Sequence, residues 1–331
     1  MTSLRQTDNF PLLVMWVEKA LIRRAIGCRL AELVLLTTVL MGCAATQKRA
    51  AAPAAIRPAM DASQTELLDA YNRQAGAVHT LNASVLMSPT AGVTYNGVIH
   101  AYHQVSGFVL AARPQMIRVI GQAPVVGTNI FDMVSDGEMF RIFIPSKNQF
   151  LVGPTQFERA TKNPIENLRP QHLLDALFWT AIGPEQPTVL EQMDIPPSRY
   201  YVLTVLRGSN PTFDIARKIW FDRSDLRVSR LQNYGPEGRL DSDISYANWQ
   251  DVAPAIENAG PGNGGGEKPR TGPLTFPRAI GVTRPQQDYR LALTITKIAV
   301  NTELPADGFK LPQPAGTELV NVGTGQQEAR P

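Results

Sequence analysis

From about residue 81 onward the apolar side chains recur at every second position, interrupted by one helical stretch. That period limits the chain to strands with one buried and one solvated face. Leu81, Ala83, Val85 and Met87 alternate with Asn82, Ser84 and Ser88, and Tyr289, Leu291, Leu293 and Ile295 alternate with Arg290, Thr294 and Thr296. Further strand-like segments fall near 94–103, 107–112, 116–121, 128–135, 138–144, 200–207, 215–223, 226–234, 240–249 and 276–284, and the last runs over 289–300. Asp136-Gly137 predicts a hairpin turn of the type that needs positive φ at both central positions.

Two stretches carry a helical period instead. Ser63-Gln64-Thr65-Glu66 fits a capping box, and Leu67, Leu68, Tyr71, Ala75 and Val78 then form one stripe, which predicts a helix to about Val78. Arg169-Pro170 opens a second, with Pro in its favoured first turn and Leu173, Leu174, Leu177, Phe178 and Ile182 on one side; Gly183-Pro184 ends it. Many strands with one helix in front and one inserted predict a mainly β fold with α: an incomplete antiparallel β-barrel, or large curved sheet, with helices on its concave side.

The ends carry a different message. Lys19, Arg23, Arg24 and Arg29 precede a short apolar run over 30–41, the pattern of a secretory signal and too short for a spanning helix. Leu40-Met41-Gly42-Cys43 resembles the lipobox of bacterial lipoproteins, which implies cleavage after residue 42 and a diacylglyceryl group on Cys43. Arg23-Arg24 also fits a twin-arginine signal, and translation starts at Met1 or Met15. Cys28 is lost with the leader, so no internal disulfide can form.

Removing the leader's five basic and three acidic side chains from the chain's 32 and 29 leaves 27 against 26, a balance that argues against a nucleic-acid partner. Residues 43–62, rich in Ala and Pro, predict a flexible tether; 63–312 form the folded domain, 259–273 a glycine-rich loop, and 313–331 a loose tail. The glycine-rich loop matches no phosphate-binding spacing.

No catalytic constellation, metal site or cofactor is expected. His100 and His103 lie three apart on a predicted strand and point to opposite faces. His79 and His172 are expected to be satisfied or exposed, and Asp241 and Asp243 to form a solvated edge. No nucleophile elbow or reactive cysteine is present, so the chain is expected not to be an enzyme.

Three segments, in order, resemble the LolA/LolB lipoprotein-sorting family: the first helix and strand, Gly107-Phe108-Val109-Leu110-Ala111-Ala112-Arg113-Pro114, and Val134-Ser135-Asp136-Gly137-Glu138-Met139-Phe140 with Ile144-Pro145. The ending Phe309-Lys310-Leu311-Pro312 is similar as well. The resemblance implies an apolar cavity under a helical lid that accepts the acyl chains of lipoproteins or lipids, with Arg113 as the lid latch. Alternation then places Leu81, Ala83, Val85, Met87, Val109 and Ala111 on the cavity wall and Leu173, Leu177 and Phe178 on the lid. Carbonyls of the lid or its flanking loop, or the carboxylate of Asp175, would receive the Arg113 guanidinium.

Attachment through Cys43 brings the chain closer to LolB than to the soluble carrier. Ala44 in place of the Asp that retains lipoproteins in the inner membrane implies the outer membrane, facing the periplasm. The implied partners are acyl chains, the membrane through the N-terminal anchor, and a periplasmic carrier protein. The alternative function is a regulatory or scaffolding envelope lipoprotein that binds a protein partner on the same fold.

Overall fold

The alternating segments hydrogen-bond into a single fifteen-stranded sheet in the computed structural model of the protein, which describes residues 58–91, 100–101, 103–124, 126–155, 169–209, 211–252 and 274–322. All of these belong to one compact unit, Ile56–Pro331. The leader, Cys43, most of the predicted tether, the glycine-rich loop and the last nine residues lie outside the described residues.

The strands are β1 (Thr80–Ala91), β2 (His100–Ala101), β3 (Val105–Ala112), β4 (Met116–Gln122), β5 (Asn129–Ser135), β6 (Met139–Ile144), β7 (Gln149–Pro154), β8 (Thr188–Ile195), β9 (Ser198–Ser209), β10 (Thr212–Asp222), β11 (Arg227–Tyr234), β12 (Leu240–Val252), β13 (Leu274–Arg284), β14 (Tyr289–Val300) and β15 (Glu318–Asn321). Across the sheet they run β15-β7-β6-β5-β4-β3-β1-β14-β13-β12-β11-β10-β9-β8, with β2 paired to β1 alone. Two meanders are thus sewn together where β1 meets β14, from Leu81 opposite Val300 to Ala91 opposite Tyr289. Every pair is antiparallel except β15 with β7, and β8 and β15 remain edges, so the barrel does not close.

Register shifts occur at Ser84/Val85, Gly121/Gln122, Ile215/Arg217, Trp220/Phe221 and Asn233/Tyr234. Each extra residue bends its strand and strengthens the local twist, which wraps the sheet around its inner face. Helix α1 (Gln64–Ala77) and helix α2 (Pro170–Leu177) lie on that face. Their apolar stripes join inward residues of β1, β3 to β7 and β9 to β14 in one buried cluster, which requires the two halves of the sheet to curve towards each other.

Four expectations need correction. The second helix stops at Leu177 rather than Ile182: beyond it the carbonyls of Trp179, Thr180 and Ile182 and the Ile182 amide are bonded to side chains of other elements. The turn after β5 centres on Gly137-Glu138: only Gly137 has positive φ, at 97°, while the Asp136 carboxylate accepts from the amides of Glu138 and Met139 at 3.0 and 2.8 Å. The tail expected to be loose contributes β15, held by backbone pairing to β7 and by an Asn148 amide donating to the Gly316 carbonyl at 2.9 Å. Of the segment 94–103, the described part is β2 and His103, which lies beyond that strand and is exposed. Strands β7 and β8 had no counterpart in the sequence reading.

Candidate functional site

Helix α1 begins as its sequence dictates: the Ser63 hydroxyl accepts from the Glu66 amide at 3.3 Å, and the Glu66 carboxylate accepts from the Ser63 amide at 2.8 Å. Its other end poses a problem. The last carbonyls of a helix have no internal donor and carry partial negative charge, and the last turn of α1 holds no basic residue.

Arg113, one residue beyond β3, supplies the missing cation. Its Nε donates to the Val78 carbonyl at 2.9 Å, and its Nη2 donates to the carbonyls of Ala75 at 2.5 Å and Trp179 at 3.0 Å. The guanidinium also stands 5.1 Å from the centre of the Phe178 ring. One side chain therefore ties the end of α1 and the segment leaving α2 to the sheet. Burial lowers the Arg113 pKa and the neighbouring Tyr71 opposes this, but a guanidinium keeps its charge.

The segment 178–183 is a strap across the concave side, held by more than Arg113. Arg217 on β10 donates from Nη1 to the Thr180 carbonyl and to the Tyr71 hydroxyl, both at 2.8 Å, and the Tyr71 hydroxyl donates to the same carbonyl at 3.1 Å. Asn72 of α1 clasps Ile182, donating to its carbonyl at 3.0 Å and accepting from its amide at 2.8 Å. Between these points the Trp179 ring stacks on Tyr71 at 5.3 Å and meets Tyr246 and Trp249 edge-on at 5.2 and 6.0 Å. Its Nε1 donates to the Tyr246 hydroxyl at 2.9 Å, which donates onward to the Ala176 carbonyl at 3.0 Å. Burial raises the pKa of both tyrosines, so both remain neutral donors at physiological pH.

All nine residues that the sequence pointed to as wall and lid are buried. Leu81, Ala83, Val85, Met87, Val109 and Ala111 are at most 2% exposed, and Leu173, Leu177 and Phe178 at most 7%. All nine fall in the same apolar cluster. Beside the latch, between Ala75, Val78, Arg113, Leu177, Trp179 and Phe276, a pocket of about 10 Å³ leaves room for roughly one water.

Asp175 takes no part in the latch. It is exposed on α2, within electrostatic range of Arg284 and Arg217; desolvation nonetheless raises its carboxyl pKa, with the two arginines opposing. His172 pairs its Nδ1 with the Tyr289 hydroxyl at 2.7 Å and stacks on that ring at 6.0 Å. Desolvation, with Arg284 and Arg169 nearby, holds its pKa well below 6.5 and keeps the ring neutral. Among the described residues no group of His, Cys, Asp and Glu could hold a metal ion.

Trp179, Asn72 and Arg217 were not singled out in the sequence, and Tyr71 only as part of the apolar stripe of the first helix. Arg217 carried a signal: it shares the period of Ile219 and Phe221, and so places a charge on an otherwise apolar inward face.

No protein-family model and no curated protein sequence matches the chain. Comparison with solved structures does find similar folds. A LolA superfamily protein from Nitrosomonas europaea is 15% identical with a TM-score of 0.43, over 76% of this chain and 99% of that one. A domain from Vibrio parahaemolyticus named for outer membrane lipoprotein sorting is 10% identical with a TM-score of 0.43, over 74% and 94%. A DUF1329 family protein from Desulfovibrio piger is 11% identical with a TM-score of 0.46, over 73% and 94%.

Proposed function

We propose that the protein is a lipid-anchored envelope lipoprotein that takes acyl chains into the apolar interior between its sheet and its helices. In this reading it acts as carrier or acceptor in the sorting of lipoproteins or lipids to the outer membrane. The observation that carries the reading is the strap. A run of backbone is held by polar bonds from Arg113, Arg217, Tyr71 and Asn72 beside a large buried apolar cluster.

Opening the strap exchanges carbonyl–guanidinium bonds for bonds to water, which leaves a small net cost per bond. An entering chain replaces the contacts that α2 and Trp179 make with the sheet, and burial of its apolar surface gains about 25 cal/mol per Å². Arg113 is the latch in this scheme, with Arg217 beside it, and Cys43 carries the acyl anchor. Two or more lipid chains there give stable attachment.

The dense packing of Tyr71, Trp179, Tyr246 and Trp249 under the strap favours a second reading, a scaffold or regulator with a permanently filled core. The full chain bearing Cys43→Ala, purified from the envelope and extracted for lipid mass spectrometry, separates the two. A carrier yields stoichiometric acylated molecules, and a filled scaffold yields none.

A further inference from the structure

We infer that Arg217, Asn233, Ser242 and Arg284 on the sheet and Asp175 on α2 form a headgroup site for a phospholipid that carries a primary ammonium beside its phosphate. The inference rests on the proposed acyl-chain reading for the tail and on the geometry of the inner face for the head. Between β10 and β14 that face is not uniformly apolar. Arg217 stands opposite Asn233, and Asn233 opposite Ser242. Asp243 opposite Thr283 sets Ser242 beside Arg284, and Arg284 stands opposite Tyr289. Cross-strand partners share a face, so these five side chains make one polar row across five strands. Two residues along each strand lies a second row, Ile219, Leu231, Ile244, Val282 and Leu291, at most 3% exposed. A polar row bordering an apolar one matches a molecule with a polar head and a hydrocarbon tail.

The segment from α2 to the strap runs over the polar row. His172 Nδ1 pairs with the Tyr289 hydroxyl on β14 at 2.7 Å, the Ala176 carbonyl accepts from Tyr246 on β12 at 3.0 Å, and the Thr180 carbonyl accepts from Arg217 on β10 at 2.8 Å. Asp175 lies between the first two of these bonds, three residues after His172 and so on the same side of the helix. It is within electrostatic range of both Arg284 and Arg217. The residue is exposed, yet desolvation raises its carboxyl pKa, the combination expected of a group that water reaches inside a recess rather than on an outer surface.

The charges in this recess face one another without closing. Arg284 donates from Nε to the Gln287 side chain at 3.1 Å, and Arg217 from Nε to Asn233 at 3.1 Å and from Nη1 to the strap. The Asn233 amide donates onward to the buried Ser242 hydroxyl at 2.9 Å, which fixes the middle of the row. The Nη groups left over and the Asp175 carboxylate make no hydrogen bond or ion pair with a described residue. A structural ion pair would have closed, because charges enclosed by protein are costly unless bonded. Open guanidinium groups on the sheet suit a phosphate, which they can grip with parallel N–H bonds. A lone anion would meet Asp175 as a like charge. The carboxylate instead suits a cation with N–H donors on the same head, a primary ammonium.

The test measures binding of lysophosphatidylethanolamine, lysophosphatidylglycerol and monoacylglycerol, all of one acyl length, to the full chain bearing Cys43→Ala. The ethanolamine lipid is expected to bind about tenfold or more tighter than monoacylglycerol, the scale of one charge-assisted bond, with the phosphatidylglycerol form in between. Arg284→Gln should lower both phospholipids towards monoacylglycerol, and Asp175→Asn should erase the preference for ethanolamine over glycerol. Unchanged monoacylglycerol binding in both variants shows that they remain folded, and the ranking in the unsubstituted recess decides even where one does not. Equal affinity for the ethanolamine lipid and monoacylglycerol overturns the headgroup site and leaves the acyl-chain reading standing. Two phospholipids bound equally, or a preference that survives both substitutions, overturns the site as well. A chain that binds none of these lipids overturns the acyl-chain reading itself, and the headgroup site falls with it.

Discussion

Arg113 and Arg217 grip adjacent carbonyls of one strap, those of Trp179 and Thr180, from strands that stand six steps apart across the sheet. The sheet does not close on itself by hydrogen bonding, so these two guanidinium groups and the strap between them span its concave side. A bond between a charged donor and a carbonyl contributes about 1.5 to 3 kcal/mol, less where water can take over. Both arginines are half-buried, and the lower part of that range applies.

Arg113→Leu is therefore expected to release the strap more than it destabilises the fold. Amide hydrogen exchange over 178–183 should speed up by roughly tenfold or more, since about 1.4 kcal/mol corresponds to a factor of ten. Protection of the β1 and β14 amides should stay near its wild-type level. Arg217→Leu should act on the same segment, and the pair should couple in a double-mutant cycle because they hold one element. Equal exchange of the strap in wild type and Arg113→Leu would reduce Arg113 to a helix cap.

Asn72→Ala removes both bonds to Ile182 and leaves its amide and carbonyl without those partners. The expected loss is about 1 to 3 kcal/mol in denaturant unfolding. Asn72→Asp keeps the acceptor for the Ile182 amide and loses the donor, so it should fall between the two. An alanine variant as stable as wild type would show that the clasp contributes nothing.

Acid should loosen α2 through His172. A histidine whose folded pKa is depressed binds more protons when unfolded, so stability is full above its unfolded pKa of about 6.5 and declines as pH falls towards the folded value. Melting temperatures between pH 7 and pH 5 should therefore fall more steeply in wild type than in His172→Gln. Parallel curves would count against a neutral, buried His172.

Much of this was legible because local signals and long-range packing agree. The capping box starts α1 where its side chains predict, and the period of two on β1, β3 and β14 sets the buried face correctly, from Leu81 to Ile295. The failures share a cause. Residues 178–182 continue a helical stripe by spacing, yet Arg113, Arg217 and Asn72 offer their backbone better partners from distant elements, and local periodicity cannot report a donor that comes from a different strand. Strand β15 forms by backbone pairing to a strand more than 160 residues away, which a sequence rich in Pro, Gly and Gln does not advertise. Strand β8 is an edge strand with Glu191, Gln192 and Asp194, so the clean alternation of an inner strand is missing.

The central claim is that acyl chains enter the space between sheet and strap, and photo-crosslinking tests it most directly. A long-chain fatty acid with a diazirine near its tail is bound to the Cys43→Ala chain, irradiated, and the modified peptides are mapped by mass spectrometry. Saturable labelling is predicted on inward residues of β1 and β3, such as Val85, Met87 and Val109, and on the 170–182 region, with loss of labelling in a folded Val85→Asp or Ala83→Leu variant. Labelling that does not saturate, or that falls on outward residues such as Phe108 and leaves the inward face unmarked, would contradict it.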